Sequence, residues 1–186
     1  VQDDWISPTW LAWVGQLEKT VLPAPNPVVI MAHSLGCIAT THMGCEAAAR
    51  VCGALLVAPA DPERRAILSD FAPVPYAALP YRSIVVASSN DPFCPIRLAG
   101  AYARAWGSEF VHMQNAGHIN IDSVTASGHW AGRCCSRCKA MRPVVWRIPP
   151  SPCRCLPQRH SRPPGLSAHK IIAASACCIS ARWHFC

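Results

Sequence analysis

The chain has 186 residues, of which 51% are hydrophobic, so it is long enough for one domain with a sizeable core and is not globally disordered. No apolar run reaches the roughly 18 residues of a membrane span. The N-terminus has no basic region and no apolar signal-peptide core, and it does not begin with Met, so we expect a fragment.

Charge and cysteine content divide the chain near residue 132. Residues 1–132 hold all ten acids and seven basic residues, a net charge of −3, whereas residues 133–186 hold ten basic residues and no acid, a net charge of +10. Eight of the 12 cysteines and seven prolines also lie in the second part. We predict a domain at 1–132 and a Cys/Arg/Pro-rich tail at 133–186 that is either disordered or an out-of-frame translation.

The apolar pattern predicts helices that alternate with strands. Ser7-Pro8 is typical of a helix start, with Ser7 as the N-cap, and Trp10, Leu11 and Val14 begin an apolar helical face. Short apolar runs predict strands at 28–32, 51–58, 83–88 and 110–113. Helices are predicted at 39–50, 62–70 and 96–106, a loop at 71–80, and a weak helix at 170–181. This alternation indicates an α/β fold with a parallel sheet, and the strand at 28–32 is predicted to be buried on both faces.

Three polar residues follow predicted strands in the order Ser34, Asp91, His118. The carboxyl ends of parallel strands lie at one edge of a sheet, where sites form in such folds. The order Ser, Asp, His is that of the α/β-hydrolase triad. The sequence therefore predicts that these three side chains meet.

Each residue type suits one step of acyl transfer. Ser34 is a weak nucleophile until a base accepts its proton, His118 can be that base, and Asp91 can fix the imidazole tautomer. The segment Ala32-His33-Ser34-Leu35-Gly36 approximates the G-x-S-x-G elbow, with Ala at the first position. We expect the Leu35 N–H, at a helix start, to supply half of an oxyanion hole. Taken singly, each residue also has a structural interpretation: an N-cap, an Asp-Pro turn or a surface-loop histidine.

The segments MAHSLGC, GALLVAPADPER, SIVVASSNDPFC and AWGSEFVHMQNAGHINIDS together resemble the YdeN-like (retinoblastoma-binding-protein-9-like) serine hydrolases of the α/β-hydrolase superfamily, over about residues 2–132. The resemblance implies a compact three-layer α/β-hydrolase fold with a mostly parallel sheet and a catalytic triad of Ser34, Asp91 and His118. It also implies a small cytoplasmic hydrolase that cleaves carboxylic esters or similar small acyl substrates through an acyl-enzyme. No metal or organic cofactor is needed, and neither nucleic acid nor a membrane is expected as a partner.

The chain departs from that family at both ends. Family members usually begin with a strand and a Gly-rich turn that donates the second oxyanion N–H, and this chain starts after them, near Gln2. We therefore expect a truncated domain whose first strand is missing, with an open sheet edge or an unfilled core, and with impaired activity. The family ends with a helix after a Gly-x-Trp segment, whereas here residues 128–132 are followed by the irregular tail. Two alternatives stay open: a non-catalytic protein-binding module on the same fold, or an inactive truncated or frameshifted product.

The tail also contains residues of metal-ligand type. Their spacing does not match a zinc module, so we predict no metal site. The residues concerned are Cys134, Cys135, Cys138, Cys153, Cys155, His160 and His169.

Overall fold

The computed structural model describes residue 2, residues 4–120, residue 123 and a strand at 170–175. Within these residues, five parallel strands form one sheet in the order β4-β3-β2-β1-β5. The strands are β1 (Val28–His33), β2 (Val51–Val57), β3 (Ser83–Ser88), β4 (Glu109–Met113) and β5 (Lys170–Ser175). The α-helices are α1 (Trp10–Val21), α2 (Leu35–Thr41), α3 (Cys45–Ala48) and α4 (Ile96–Trp106), and 3₁₀ helices span Pro62–Arg64 and Ala66–Phe71. The predicted α/β class with a parallel sheet is confirmed.

Helix α1 begins two residues later than predicted. Thr9, not Ser7, is the N-cap, and its Oγ1 accepts a hydrogen bond from the Ala12 N–H at 3.4 Å. Ser7 instead donates its N–H to Asp4 Oδ1 at 2.9 Å, which keeps it in the turn before the helix. The buried face is also rotated from the predicted one, because Leu11 is 75% exposed. The buried residues of α1 are Trp13, Val14, Leu17 and Val21.

The predicted helix at 39–50 is two helices in the structure. Helix α2 starts at Leu35, directly after Ser34, and the chain breaks between α2 and α3. At this break Gly44 is the N-cap of α3, and its N–H donates to Glu18 Oε1 at 2.7 Å. The early start of α2 is what places Ser34 at a strand-to-helix junction.

Strand β1 is buried unequally on its two faces. Val28, Ile30 and Ala32 are buried, whereas Met31 on the opposite face is 44% exposed. The prediction of burial on both faces is therefore wrong. The sheet order explains the difference. From β1 to β4 the chain moves across the sheet in one direction, so the right-handed connections between these strands all lie on the same face of the sheet.

Strand β5 lies in parallel alongside the outer edge of β1. Residues 28–33 pair with 170–175 along the whole length of β1. The weak helix predicted at 170–181 is thus wrong for 170–175, where β-branched Ile171 and Ile172 favour a strand. The prediction of an open sheet edge is wrong for β1, because the backbone N–H and C=O groups along its outer edge pair with β5. The candidate metal ligands of the tail lie outside the described residues.

Strands β3 and β4 and helix α4 agree closely with the prediction. The helix predicted at 96–106 is observed at Ile96–Trp106, and Gly107 ends it with a φ of +68°. Helix α4 packs against β3 and β4, which fixes the two strands that precede Asp91 and His118. No helix in the described part of the chain is long and apolar enough to cross a membrane.

Candidate active site

Ser34 occupies a sharp turn between β1 and α2. Its φ of +55° and ψ of −121° are rare for a residue with a side chain, and hydrogen bonds hold the backbone there. The Ser34 N–H donates to the Val57 carbonyl at 3.0 Å, and the Ser34 carbonyl accepts from the Ala60 N–H at 3.3 Å. Since the hydroxyl makes no capping hydrogen bond to α2, Ser34 is not an ordinary N-cap and its Oγ is available for another contact.

The three residues singled out in the sequence meet at the carboxyl edge of the sheet. His118 Nε2 lies 2.9 Å from Ser34 Oγ, and His118 Nδ1 lies 2.8 Å from Asp91 Oδ2 and 3.0 Å from Asp91 Oδ1. The side chains of His118 and Asp91 are each 2% exposed. Because a carboxylate only accepts hydrogen bonds, Nδ1 carries the proton, and Nε2 is left to accept from the Ser34 hydroxyl.

Two short loops position Asp91 and His118. Asp91 follows β3, and its Oδ1 also accepts the Phe93 N–H at 2.8 Å, which orients the carboxylate. His118 follows β4 after Gly117, which has a φ of +57°. A Cβ on Gly117 would lie 2.5 Å from Ser123 Oγ, so this turn requires glycine.

The Leu35 N–H is the first backbone donor of α2. It has no hydrogen-bond acceptor in the part of the chain that the structure describes. Its predicted role as one oxyanion donor stays a prediction.

Strand β5 ends beside the end of β1. Its last residue, Ser175, pairs with His33, so the two strands end level with each other next to Ser34.

The family model described as "Serine hydrolase" matches residues 1–132. The chain belongs to the serine hydrolase family. A solved structure of a candidate YdeN-like hydrolase from Pectobacterium atrosepticum is 31% identical, with a TM-score of 0.59, over 66% of this chain and 65% of that one. This chain therefore spans about 65% of the length of the Pectobacterium protein.

A solved structure of a candidate α/β-superfamily hydrolase from Xanthomonas campestris is also similar, at 21% identity and a TM-score of 0.43, over 61% of each chain. No curated protein sequence matches this chain. The family model and the Pectobacterium structure confirm the predicted resemblance to YdeN-like serine hydrolases of the α/β-hydrolase superfamily.

In this member of the serine hydrolase family, His118 has further contacts that the sequence did not reveal. His33 Nε2 lies 2.9 Å from the His118 carbonyl oxygen, and the two rings meet edge to face with centroids 4.8 Å apart. The Phe93 ring also packs against His118, with ring centroids 4.4 Å apart, and the Arg65 guanidinium lies over the Phe93 ring, 4.2 Å from its centroid. The only sequence signal for Phe93 was its position two residues after Asp91.

The cysteines near Ser34 and Asp91 have structural roles. Cys37 is fully buried and its thiol donates to the carbonyls of Ala32 and Val57, and burial raises its pKa far above the ordinary thiol range. Burial also raises the pKa of Cys94 to about 12. Neither thiol ionises near neutrality, so both are structural. Among the described residues no group of three or more His, Cys, Asp or Glu side chains is placed to hold a metal ion.

Proposed function

We propose that this chain is a hydrolase that cleaves carboxylic esters or similar small acyl substrates through an acyl-enzyme on Ser34. The observation that carries the proposal is the unbroken hydrogen-bond chain from Ser34 Oγ through His118 to the Asp91 carboxylate. The strained backbone of Ser34 supports it, because backbone strain of this kind is concentrated at functional sites.

Acylation begins when Ser34 Oγ attacks the acyl carbon. His118 Nε2 takes the hydroxyl proton, and the Asp91 carboxylate stabilises the imidazolium that forms. The Leu35 N–H donates a hydrogen bond to the developing oxyanion. The tetrahedral intermediate then collapses, and His118 returns the proton to the departing alkoxide, which leaves as an alcohol.

Deacylation repeats these roles with water as the nucleophile. His118 Nε2 accepts a proton from water, whose oxygen attacks the acyl carbon and forms a second tetrahedral intermediate. Its collapse releases the carboxylic acid, and His118 gives the proton back to Ser34 Oγ. Each proton therefore moves only between His118 Nε2 and an oxygen atom within the site.

Hydrolysis of p-nitrophenyl acetate tests the proposal. We expect turnover by the purified protein, and we expect Ser34→Ala to lower kcat by at least about 10⁴-fold, the scale of a lost catalytic serine. Ser69→Ala is the matched control, because Ser69 is exposed on a 3₁₀ helix and its side chain makes no hydrogen bond within the described residues. Equal turnover by wild type and Ser34→Ala, or no turnover by a folded sample, would contradict the proposal and favour a non-catalytic binding module.

A further inference from the structure

The turn that carries His118 is held by an unusual run of hydrogen bonds. Four consecutive backbone N–H groups, at residues 115–118, each donate to a side-chain oxygen. The backbone N of Asn115 lies 2.9 Å from Ser89 Oγ, and that of Ala116 lies 2.8 Å from Ser88 Oγ. The backbone N of Gly117 lies 2.8 Å from Asn90 Oδ1, and that of His118 lies 3.0 Å from Ser123 Oγ.

Three of these four acceptors belong to residues 88–90, directly before Asp91. We name Ser88, Ser89 and Asn90 the acid-loop clasp. Its centre is Ser88, which is fully buried and whose hydroxyl also donates to Asn90 Oδ1 at 2.9 Å. The loop that bears the acid thus holds the loop that bears the base.

The clasp supplies the hydrogen-bond acceptors that the backbone of the turn at 115–118 needs. Asn115 and Gly117 have positive φ values of +50° and +57°, so their N–H groups cannot join a regular ladder and need other acceptors. A misplaced turn would move His118 relative to both Asp91 and Ser34. A displacement of about 1 Å at a catalytic group can cost on the order of 10²-fold in rate.

We propose that the acid-loop clasp is a set of positioning residues for the hydrolase reaction, which set the His118 ring at hydrogen-bonding distance from Asp91 and Ser34. This inference rests on the proposed function. The clasp residues act through the turn at 115–118, whose backbone N–H groups donate to their side chains. Asn90 is the most informative member, because its Oδ1 accepts from both Gly117 and Ser88.

Two substitutions at Asn90 separate the acceptor from the shape of the side chain. Asn90→Leu keeps the shape but removes the acceptor, and we expect it to lower kcat for p-nitrophenyl acetate about 10- to 100-fold without raising KM. Asn90→Asp keeps the acceptor and should recover most of the lost kcat. Gln114→Ala is the control, because Gln114 is exposed in the same loop and its side chain makes no hydrogen bond within the described part of the chain.

A double-mutant cycle tests whether Asn90 acts through the acid–base pair. In an Asp91→Asn background, where the pair is already disabled, Asn90→Leu should cause little further loss. An equal loss in both backgrounds would overturn the proposal, as would a wild-type kcat for Asn90→Leu or an Asp variant as impaired as the Leu variant. If Asn90→Leu does not melt cooperatively, Ser89→Ala, which removes one clasp bond, takes its place with the same expectation.

The two proposals fail in different ways. Absence of Ser34-dependent turnover in wild type refutes the proposed function, and the clasp proposal with it. Ser34-dependent turnover in wild type combined with unchanged turnover in the clasp variants refutes the clasp alone.

Discussion

Replacing Asp91 by Asn should disable the base without disturbing the fold. The Phe93 N–H donates to Oδ1 at 2.8 Å, so an amide at this position must keep its oxygen there. Its NH₂ group then replaces Oδ2, the atom that lies 2.8 Å from His118 Nδ1. Because that group is a donor, it favours the tautomer in which Nδ1 is unprotonated and Nε2 carries the proton. The Ser34 hydroxyl, 2.9 Å from Nε2, then faces a donor instead of an acceptor.

The expected loss of kcat in Asp91→Asn follows from the changed tautomer of His118. A wrong tautomer with intact geometry lowers kcat by about 10⁴-fold, equivalent to about 5.5 kcal/mol in the activation free energy. Initial rates of p-nitrophenyl acetate hydrolysis at saturating ester, normalised to folded protein, measure this change. Thermal unfolding followed by circular dichroism should show a similar cooperative melt for wild type and Asp91→Asn.

Asp70→Asn is the matched control for this substitution. The Asp70 carboxylate also accepts a backbone N–H, from Trp10, but it does not contact His118, so kcat should stay at the wild-type value. A loss of only about tenfold in Asp91→Asn would contradict this expectation, because it would mean that Oδ1, 3.0 Å from Nδ1, sustains the correct tautomer alone.

Two further predictions concern the turns and the buried thiols. Gly117→Ala and Gly107→Ala both place a side chain at positive φ, which costs roughly 1–2 kcal/mol. Only the Cβ added at Gly117 would clash with a neighbour, because Ser123 Oγ lies 2.5 Å from it. Urea unfolding should therefore show the larger loss for Gly117→Ala, and only that variant should lose kcat; equal effects would contradict this. Burial raises the pKa of Cys94 from 9.0 to about 12, so its contribution to stability is full below pH 9 and is lost as the pH rises towards 12. The decline in unfolding free energy between pH 8 and pH 11 should be smaller in Cys94→Ala than in wild type. It should be the same as wild type in the control Cys45→Ser, whose thiol is exposed. An equal decline in all three proteins would contradict a contribution from the Cys94 thiol.

The sequence predicted most of the site because the site depends on where strands end. The strand at 83–88 and the helix at 96–106 were placed correctly, since their apolar periodicity and the glycine after the helix are local signals. Ser34, Asp91 and His118 follow β1, β3 and β4, and parallel strands bring such residues to one edge. Their positions after predicted strands, together with their order along the chain, therefore allowed the prediction that they meet.

The features that the sequence did not predict depend on contacts between distant segments. The clasp joins residues 88–90 to 115–118, and neither loop alone indicates that its polar groups have partners in the other. The partner of β1 was missed because strand pairing with β5 joins residues 28–33 to 170–175. Local propensity did not strongly favour either a helix or a strand at 170–175, and pairing with β1 decided that this segment is a strand.

Labelling with a fluorophosphonate shows whether Ser34 is an activated nucleophile, because this class of reagent phosphonylates a serine only when a neighbouring base activates it. We predict one adduct per folded molecule by intact-mass spectrometry, located at Ser34 by peptide mapping, with none in Ser34→Ala and a strongly reduced rate in His118→Ala. A cooperatively folded wild-type sample that takes up no adduct, or one that is labelled equally in Ser34→Ala, would contradict the assignment of Ser34 as the nucleophile.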